Sequence, residues 1–187
     1  KLSNKIAATF FETVPKEKRV NGKVQIVTST SFFIPKPFTP FEWERFISKE
    51  EVEHKLSILK SRLFTKGVSV NWNDYELSET EAVLARGDRR LSKVLLNVYK
   101  KGGIFESWSE YFKHERWQNA YREESVDIKR YLNEHDLNGV LCWDFIDMGV
   151  DKKFFIKERQ KAYNDECTGG CQDGCKGCGL QGRCSIL

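Results

Sequence analysis

Cysteine and glycine dominate the end of the chain, and no other feature restricts its fold as tightly. Five of the six cysteines fall in the segment Cys167-Thr-Gly-Gly-Cys171-Gln-Asp-Gly-Cys175-Lys-Gly-Cys178-Gly-Leu-Gln-Gly-Arg-Cys184. Cysteines gathered at one end differ from a disulfide framework, which ties distant segments together. The pattern therefore favours reduced thiols and a cytoplasmic protein.

The spacing of these cysteines predicts a metal site. Thiolates this dense repel each other unless a cation neutralises them, and soft or borderline metals do that best. We expect a closed tetrahedral zinc site or an auxiliary iron-sulfur cluster. A flexible reduced tail and a disulfide pair are the alternatives. The expected ligands are Cys171, Cys175, Cys178 and Cys184, with Cys167 as the alternate ligand.

Length and charge exclude several classes of protein. The chain has 187 residues, fewer than the ~250 of a complete (β/α) barrel. Because it starts at Lys1 without a signal pattern, we expect an internal fragment. No apolar run approaches the ~18 residues of a membrane span, so no membrane partner is expected. The 31 basic and 27 acidic residues are interspersed, which permits a nucleic-acid partner without arguing for one.

The first part of the chain predicts a strand, a helix and a second strand. A β-branched run from Val24 favours a strand that ends near Phe33, because the prolines that follow cannot continue a ladder. Ser48 and Glu51 have the spacing of a capping box for a helix that reaches Phe64. The second strand is predicted after Gly67, over residues 68–72.

The rest of the chain before the cysteines predicts helices. Ser78 and Glu81 repeat the capping signature for a long helix that ends at Gly102 and is kinked or broken at Gly87. Asp147 or Asp151 is expected to cap the last helix. The further helices are predicted over residues 105–121, 125–133 and 152–163.

Three stretches carry a resemblance to a known family. They are Ser31-Phe-Phe-Ile-Pro35-Lys36-Pro37-Phe-Thr39-Pro40-Phe41-Glu-Trp43, then Glu81-Ala-Val-Leu-Ala-Arg86-Gly87-Asp88-Arg89-Arg90, then Trp143-Asp144-Phe-Ile-Asp147-Met-Gly149-Val150. Their order and spacing resemble the C-terminal part of the radical S-adenosylmethionine (radical SAM) proteins that carry an N-terminal cobalamin-binding-type domain. The resemblance concerns the family and leaves the reaction open.

The resemblance implies an α/β fold built in three parts. Residues 1–75 would be the terminal strand and helix units of a partial (β/α) barrel, residues 76–165 a mostly helical extension, and residues 166–187 a Cys-rich metal-binding tail. The parent would be an enzyme that cleaves SAM reductively at a [4Fe-4S] cluster bound upstream of this chain. Cobalamin is a further candidate cofactor of the parent. The upstream radical SAM and cobalamin-type domains would be partners of this part, which alone is expected to be inactive.

Cys171, Cys175 and Cys178 have the CxxxCxxC spacing of the SAM-cleaving cluster in that family, but we do not assign them that role. In the family the motif lies near the start of the barrel, whereas here only nine residues follow Cys178. The cluster also keeps one iron open for SAM, whereas Cys167 and Cys184 are available here to close a four-cysteine site. The tail is therefore expected to hold a different metal centre.

Ser29, Ser31 and Lys36 are candidate cofactor-binding residues. They follow or end the first predicted strand, and ligands of barrel enzymes gather at the carboxyl ends of strands. Lys36 lies between two prolines that fix its backbone, so its ammonium can be held against a carboxylate or phosphate. A surface lysine in a rigid loop is the alternative interpretation.

Arg86, Asp88, Arg89 and Arg90 are candidate substrate-binding residues. Guanidinium groups pair with phosphate or carboxylate in two-pronged fashion, and three of them surround one carboxylate at the predicted helix break. Asp88 can equally pair with an arginine to hold the break, and this structural role is slightly favoured. Cys142, outside the tail, is predicted to be a small buried residue rather than a ligand.

A different class of function is also open. Basic and aromatic residues can dock RNA or a partner protein, with the cysteine tail as a structural zinc clip. A helical scaffold with no ligand of its own is the third interpretation. The residues that would form the docking surface are Arg116, Trp117, Arg122, Lys129, Arg130 and Tyr131.

The metal assignment generates the first testable prediction. Anaerobically purified protein should carry about one equivalent of zinc or of an iron-sulfur centre, since four thiolates at ~2.3 Å from one ion complete a tetrahedral site. Metal analysis with visible absorption separates colourless zinc from a brown cluster. Replacing both Cys175 and Cys178 by serine should remove the metal, whereas unchanged metal content would show that the tail is not a metal site.

Overall fold

The structure is a computed structural model that describes residues 2–19, 25–63 and 67–180. It divides into two compact units. Unit 1 comprises Lys1–Phe33 and Ile47–Ser78, and unit 2 comprises Ile34–Phe46 and Glu79–Leu187. The protein is a mixed α/β structure, mostly helical, with two parallel strands in the described ranges. No helix in those ranges is long and apolar enough to cross a membrane.

Unit 1 contains a parallel strand pair. In β1 and β2, Ile26 lies opposite Val68 and Thr30 opposite Trp72. Parallel neighbours need a crossover connection, and the helix α2 lies between these two strands in the chain. An N-terminal helix, α1, packs against both strands. The elements are α1 (Leu2–Thr13), a 3-10 helix (Lys16–Lys18), β1 (Ile26–Thr30), α2 (Lys49–Arg62) and β2 (Val68–Trp72).

The predicted strand-helix-strand order of unit 1 is confirmed, with shorter elements. The first strand spans Ile26–Thr30, and residues 31–36 extend beyond it without joining a ladder, as the prolines require. Val24 and Phe64, which were predicted to begin the strand and end the helix, lie outside the described residues. The capping box is confirmed: Ser48 Oγ accepts from Glu51 N at 3.3 Å, and the Glu51 carboxylate accepts from Ser48 N at 3.0 Å.

Unit 2 is helical and has two apolar clusters. The helices are α3 (Tyr75–Ala85), which crosses the boundary between the units, α4 (Leu91–Lys100), α5 (His114–Glu123), α6 (Lys129–Leu132), α7 (Lys152–Tyr163) and a 3-10 helix (Cys171–Asp173). One cluster joins α3 to α6 and buries Val83, Leu91, Val94, Val98, Trp117, Ala120, Tyr121 and Tyr131. The other buries Trp43, Leu141 and Trp143, with Phe38, Leu137, Phe155 and Ile156 packed against it.

The helix break at Gly87 is confirmed, but the predicted start of that helix is wrong. α3 ends at Ala85 and α4 begins at Leu91. A side chain at Gly87 would approach Val83 O to 2.9 Å, so glycine permits the close turn. α3 begins at Tyr75 because the Asp74 carboxylate accepts from Leu77 N at 2.8 Å. Ser78 lies inside the first turn, where its hydroxyl donates to Asp74 O.

Two further helix predictions are wrong in extent, and one is confirmed. Residues 105–111 form turns, because Phe105 adopts a left-handed φ of 56° that a helix does not allow. The Glu106 carboxylate accepts from Lys113 N and Trp117 Nε1 and joins this segment to α5. The helix predicted over 125–133 contracts to α6, since Ser125 adopts a left-handed φ of 53°. α7 spans Lys152–Tyr163 as predicted, and its cap is Asp151, which accepts from Lys153 N at 3.0 Å.

The capping box at α2 generates the second prediction. Replacing Ser48 by alanine should lower the free energy of unfolding by about 1 kcal/mol, because Glu51 N loses its acceptor. Urea unfolding of the chain measures the change. Ser57→Ala is the matched control, since the Ser57 hydroxyl donates to His54 O within the same helix and caps nothing. Equal effects of the two substitutions would contradict the role assigned to the cap.

Candidate functional site

The buried carboxylate of Glu42 joins two of the segments that carry the family resemblance. The residue is 3% exposed. Its carboxylate accepts from Phe38 N at 2.8 Å and from Trp143 Nε1 at 2.7 Å. Burial raises the pKa of Glu42, and the nearby Asp144 charge adds to this, whereas the two hydrogen bonds and Lys152 act in the opposite direction. Glu42 thus holds the proline-rich loop against the segment that begins at Trp143.

Phe38 occupies a strained backbone position in this loop. Its φ of 58° lies in the left-handed region, which is uncommon for a bulky residue. Such strain persists only where surrounding contacts fix the conformation. The hydrogen bond from Phe38 N to Glu42 and the packing of the ring on the Trp43 cluster supply those contacts.

Arg86 is a buried cation that holds three parts of unit 2 together. Its side chain is almost fully enclosed, at 1% exposure. Nη1 donates to Glu44 O at 2.8 Å, and Nη2 donates to Asn133 O at 3.1 Å. Burial lowers the pKa of Arg86 to about 10, so it remains charged at neutral pH. The end of α3 is therefore tied to the segment that precedes α2 and to the end of α6.

Asp88 organises the break between α3 and α4. Its carboxylate accepts from the Arg90 guanidinium, from Arg90 N at 2.9 Å and from the Tyr131 hydroxyl at 3.2 Å. The Arg90 guanidinium holds the pKa of Asp88 well below its usual range. The structure thus contains the pairing that was proposed as the structural role of Asp88, and Arg89 lies exposed beside it.

A cavity of about 660 Å³ lies where the three resembling segments meet. Pro37 and Phe38 come from the proline-rich loop, Gly87 to Arg90 from the break, and Trp143, Phe145 and Ile146 from the third segment. The lining residues are Pro37, Phe38, Ala85, Gly87, Asp88, Arg89, Arg90, Cys142, Trp143, Phe145 and Ile146. The surface is mainly apolar and includes a few charged residues, as ligand sites commonly do.

Cys142 lines this cavity, and the prediction that it is a small buried residue is wrong. The residue is exposed, with its Sγ 3.5 Å from Arg86 O. Sequence reasoning gave it no functional role. Glu42 was also missed, although it stands between Phe41 and Trp43 in a stretch that the resemblance covers.

The three candidate cofactor-binding residues are divided between the two units. Ser29 lies exposed in β1, opposite Asn71, and Ser31 follows the strand in unit 1. Lys36 belongs to unit 2, where its ammonium pairs with Glu81 at 2.7 Å. Both partners are about half exposed, so the pair adds little to stability. A contact of these residues with SAM stays a prediction.

The cysteine tail is described as far as Leu180. Cys167, Cys171 and Cys175 are exposed and Cys178 is half-buried. Within the described residues no group of three or more His, Cys, Asp or Glu side chains is placed to hold a metal ion. The tail fits a metal by its thiol chemistry and not by this placement. Cys184, one of the four expected ligands, lies outside the described residues, so the metal site stays a prediction.

The tail contacts the backbone between Gly149 and Asp151, at the end of the third segment that resembles the family. Asp151 N donates to Cys178 O at 2.8 Å. A side chain at Gly179 would approach Asp151 N to 3.0 Å and Gly149 O to 3.1 Å. Glycine at this position therefore allows the tail to lie directly against the backbone that precedes α7.

Comparisons with known proteins give one partial relative. The uncharacterized protein MJ0966 of Methanocaldococcus jannaschii is 36% identical over 81 residues. The alignment covers 43% of this chain and 17% of that protein, so the chain spans a small part of the relative's length. No family model and no solved structure matches the chain.

Glu42 generates the third prediction. Replacing Glu42 by alanine should lower the free energy of unfolding by about 2–4 kcal/mol, because Phe38 N and Trp143 Nε1 both lose a buried acceptor. Glu42→Gln should cost less, since the amide oxygen still accepts and no charge is buried. Urea unfolding checks both variants. Equal losses for the two substitutions would contradict the hydrogen-bonding role.

Proposed function

We propose that this chain is the C-terminal part of a radical SAM enzyme, in which unit 1 supplies the end of a partial (β/α) barrel and unit 2 an accessory substrate-binding region. The reductive cleavage of SAM would take place at a [4Fe-4S] cluster bound by residues upstream of this chain. Cobalamin is a further candidate cofactor of the parent. The substrate, the reaction and the metal of the cysteine tail stay open.

The meeting of the three resembling segments around one cavity carries this proposal. The segments are separated by tens of residues in sequence, yet all three contribute lining residues to the same cavity. The convergence supports the view that these residues act together on one ligand.

The parallel arrangement of β1, α2 and β2 is a second supporting observation. A (β/α) barrel is built from parallel strands joined by helices. Unit 1 contains one such pair in register from Ile26 with Val68 to Thr30 with Trp72. Ser29 and Ser31 lie in and just after β1, near its carboxyl end, where barrel enzymes place their ligands.

In this proposal, the residues of unit 2 that surround the cavity have different roles. Arg86 and Glu42 fix the backbone around the cavity, and Asp88 neutralises Arg90 at its wall. Phe145 and Ile146 offer apolar surface to the ligand. Arg89, exposed at the same wall, is the arginine of the turn that is best placed to contact a carboxylate or phosphate of a substrate.

The RNA-binding alternative is less well supported at the predicted surface. Trp117 and Tyr131 are buried, at 4% and 3% exposure, so their rings are not presented for base stacking. Arg116 pairs with Glu106. The alternative then depends on Arg122, Lys129 and Arg130, and salt-dependent RNA binding by the chain would support it.

The fourth prediction tests the proposed function. A protein that comprises these 187 residues and those encoded upstream should contain a second CxxxCxxC motif and, after anaerobic reconstitution and reduction, convert SAM to 5'-deoxyadenosine. The 187-residue chain alone should not, because its own CxxxCxxC motif is proposed to bind a different metal. Chromatography of the nucleoside product measures both.

Two cysteine variants provide the controls. Replacing a cysteine of the upstream motif should abolish 5'-deoxyadenosine formation, whereas Cys175→Ala in the longer protein should leave the cleavage of SAM in place. Formation of 5'-deoxyadenosine by the isolated chain, above the level of a Cys171→Ala variant, would contradict the assignment. The absence of an upstream motif would contradict the family.

A further inference from the structure

A smaller cavity, of about 360 Å³, lies beside the candidate site in unit 2. It shares Phe38, Phe145 and Ile146 with the larger cavity. Six of its ten described lining residues are apolar, and a cavity of this size accommodates a small organic molecule. The described lining residues are Phe38, Glu42, Asp144, Phe145, Ile146, Asp147, Met148, Val150, Lys152 and Phe155.

One oxygen of the Glu42 carboxylate is open to this cavity. Both hydrogen bonds that the carboxylate accepts, from Phe38 N and Trp143 Nε1, go to Oε2. Oε1 accepts none from the described residues, and it is not one of the atoms that are both without a partner and sealed from solvent. The side chain is otherwise enclosed, at 3% exposure, so Oε1 keeps its accessible surface where Glu42 lines the cavity. A carboxylate oxygen in this position can accept a hydrogen bond from a ligand.

Carboxylates outnumber cations around the cavity. The charged lining residues are Glu42, Asp144, Asp147 and Lys152. Lys152 pairs with Asp144 at 2.7 Å and donates to Gly139 O at 3.1 Å, so its ammonium is already engaged. Burial raises the pKa of Glu42 most, and among the neighbouring charges Asp144 raises it more than Lys152 lowers it. The potential that these two charges create at Glu42 is therefore negative and favours a further cation.

Neither Arg86 nor a metal ion fits as that cation. The charge of Glu42 acts on Arg86, but Arg86 does not line the cavity, and its terminal nitrogens donate to the carbonyls of Glu44 and Asn133. Among the described residues, no group of three or more His, Cys, Asp or Glu side chains is placed to hold a metal ion. An organic cation needs fewer oxygen ligands and can also use the apolar wall.

We propose that this cavity binds a small primary amine as its ammonium ion, which donates to Glu42 Oε1 and is attracted by the Asp147 carboxylate. Asp147 is exposed and holds its own turn by accepting from Gly149 N at 2.7 Å through Oδ1. The apolar chain of the amine would contact Phe145 and Met148. The inference concerns this chain alone and does not depend on the chemistry of the proposed function.

The fifth prediction uses NMR of the complete chain with n-butylammonium chloride as the probe. The Trp143 indole N–H signal should shift in a saturable way, because this group donates to the carboxylate that binds the ammonium. The Trp108 indole N–H, away from the lining residues, should not respond. n-Butanol, which has the same apolar chain and no charge, should bind about tenfold more weakly or less. Sodium chloride at equal ionic strength is the reference.

Two aspartate variants test the charge at the cavity. Asp147→Asn should weaken n-butylammonium binding by about twofold or more, because one exposed charge is lost while the amide oxygen still accepts from Gly149 N. Asp136→Asn is the matched control, since Asp136 accepts from Asn138 N in the same way but does not line the cavity. Equal binding by the two variants would overturn the proposal.

Glu42→Gln tests the buried carboxylate itself. It should weaken n-butylammonium binding by about tenfold or more, because a charge-assisted hydrogen bond is lost. An unchanged Phe38 amide signal verifies the fold, and if this variant does not fold, the two aspartate variants decide alone. Unchanged binding by folded Glu42→Gln, or equal affinity for n-butanol, would overturn the proposal. So would a shift of the Trp143 indole signal with magnesium chloride and none with n-butylammonium.

Discussion

The buried guanidinium of Arg86 is the constraint on which the second unit depends. A cation with 1% exposure needs acceptors for its N–H groups, and the two terminal nitrogens of Arg86 find them in the carbonyls of Glu44 and Asn133. Those acceptors lie in segments far apart in the chain. The requirement to satisfy one side chain therefore fixes the positions of three segments, and the cavities form between them.

Glu42 adds a second buried charge to the same framework. Its carboxylate reaches Phe38 N in the proline-rich loop and Trp143 Nε1 across a long sequence distance. Buried polar groups of this kind contribute less to net stability than to the choice of one arrangement, because every competing arrangement leaves a donor or acceptor unsatisfied. The strained φ of Phe38 is one local cost of that arrangement.

Local signals in the sequence predicted local structure well. The capping box of Ser48 and Glu51, the break at Gly87 and the cap of α7 at Asp151 depend on neighbouring residues alone. The predictions failed where a distant residue decides the outcome. Glu106 binds Trp117 Nε1 of α5, in a segment of turns where a helix was predicted. The N-terminal helix α1 has no capping signature in the sequence from which it could be predicted.

The sequence predicted the segments that form the candidate site, but it did not predict how they come together. The three resembling segments are visible in the sequence, but their meeting around Arg86 and Glu42 is a tertiary property. The contacts of Glu42 and the exposure of Cys142 follow only from that geometry. The cysteine tail differs. The spacing of its cysteines predicts metal binding, but no described contact among the thiols fixes which of them would be ligands.

If Arg86 and Glu42 bind these segments into one cooperative unit, native-state hydrogen exchange should release three of their protons together. The protons to follow are the Trp143 indole N–H, held by Glu42, and the backbone N–H groups of Phe38 and Phe46, which donate to Glu42 and Leu132 O. All three should exchange with a similar free energy of opening. Much faster exchange of the Trp143 indole N–H than of Phe46 N–H would contradict it and show that the cavity wall opens independently.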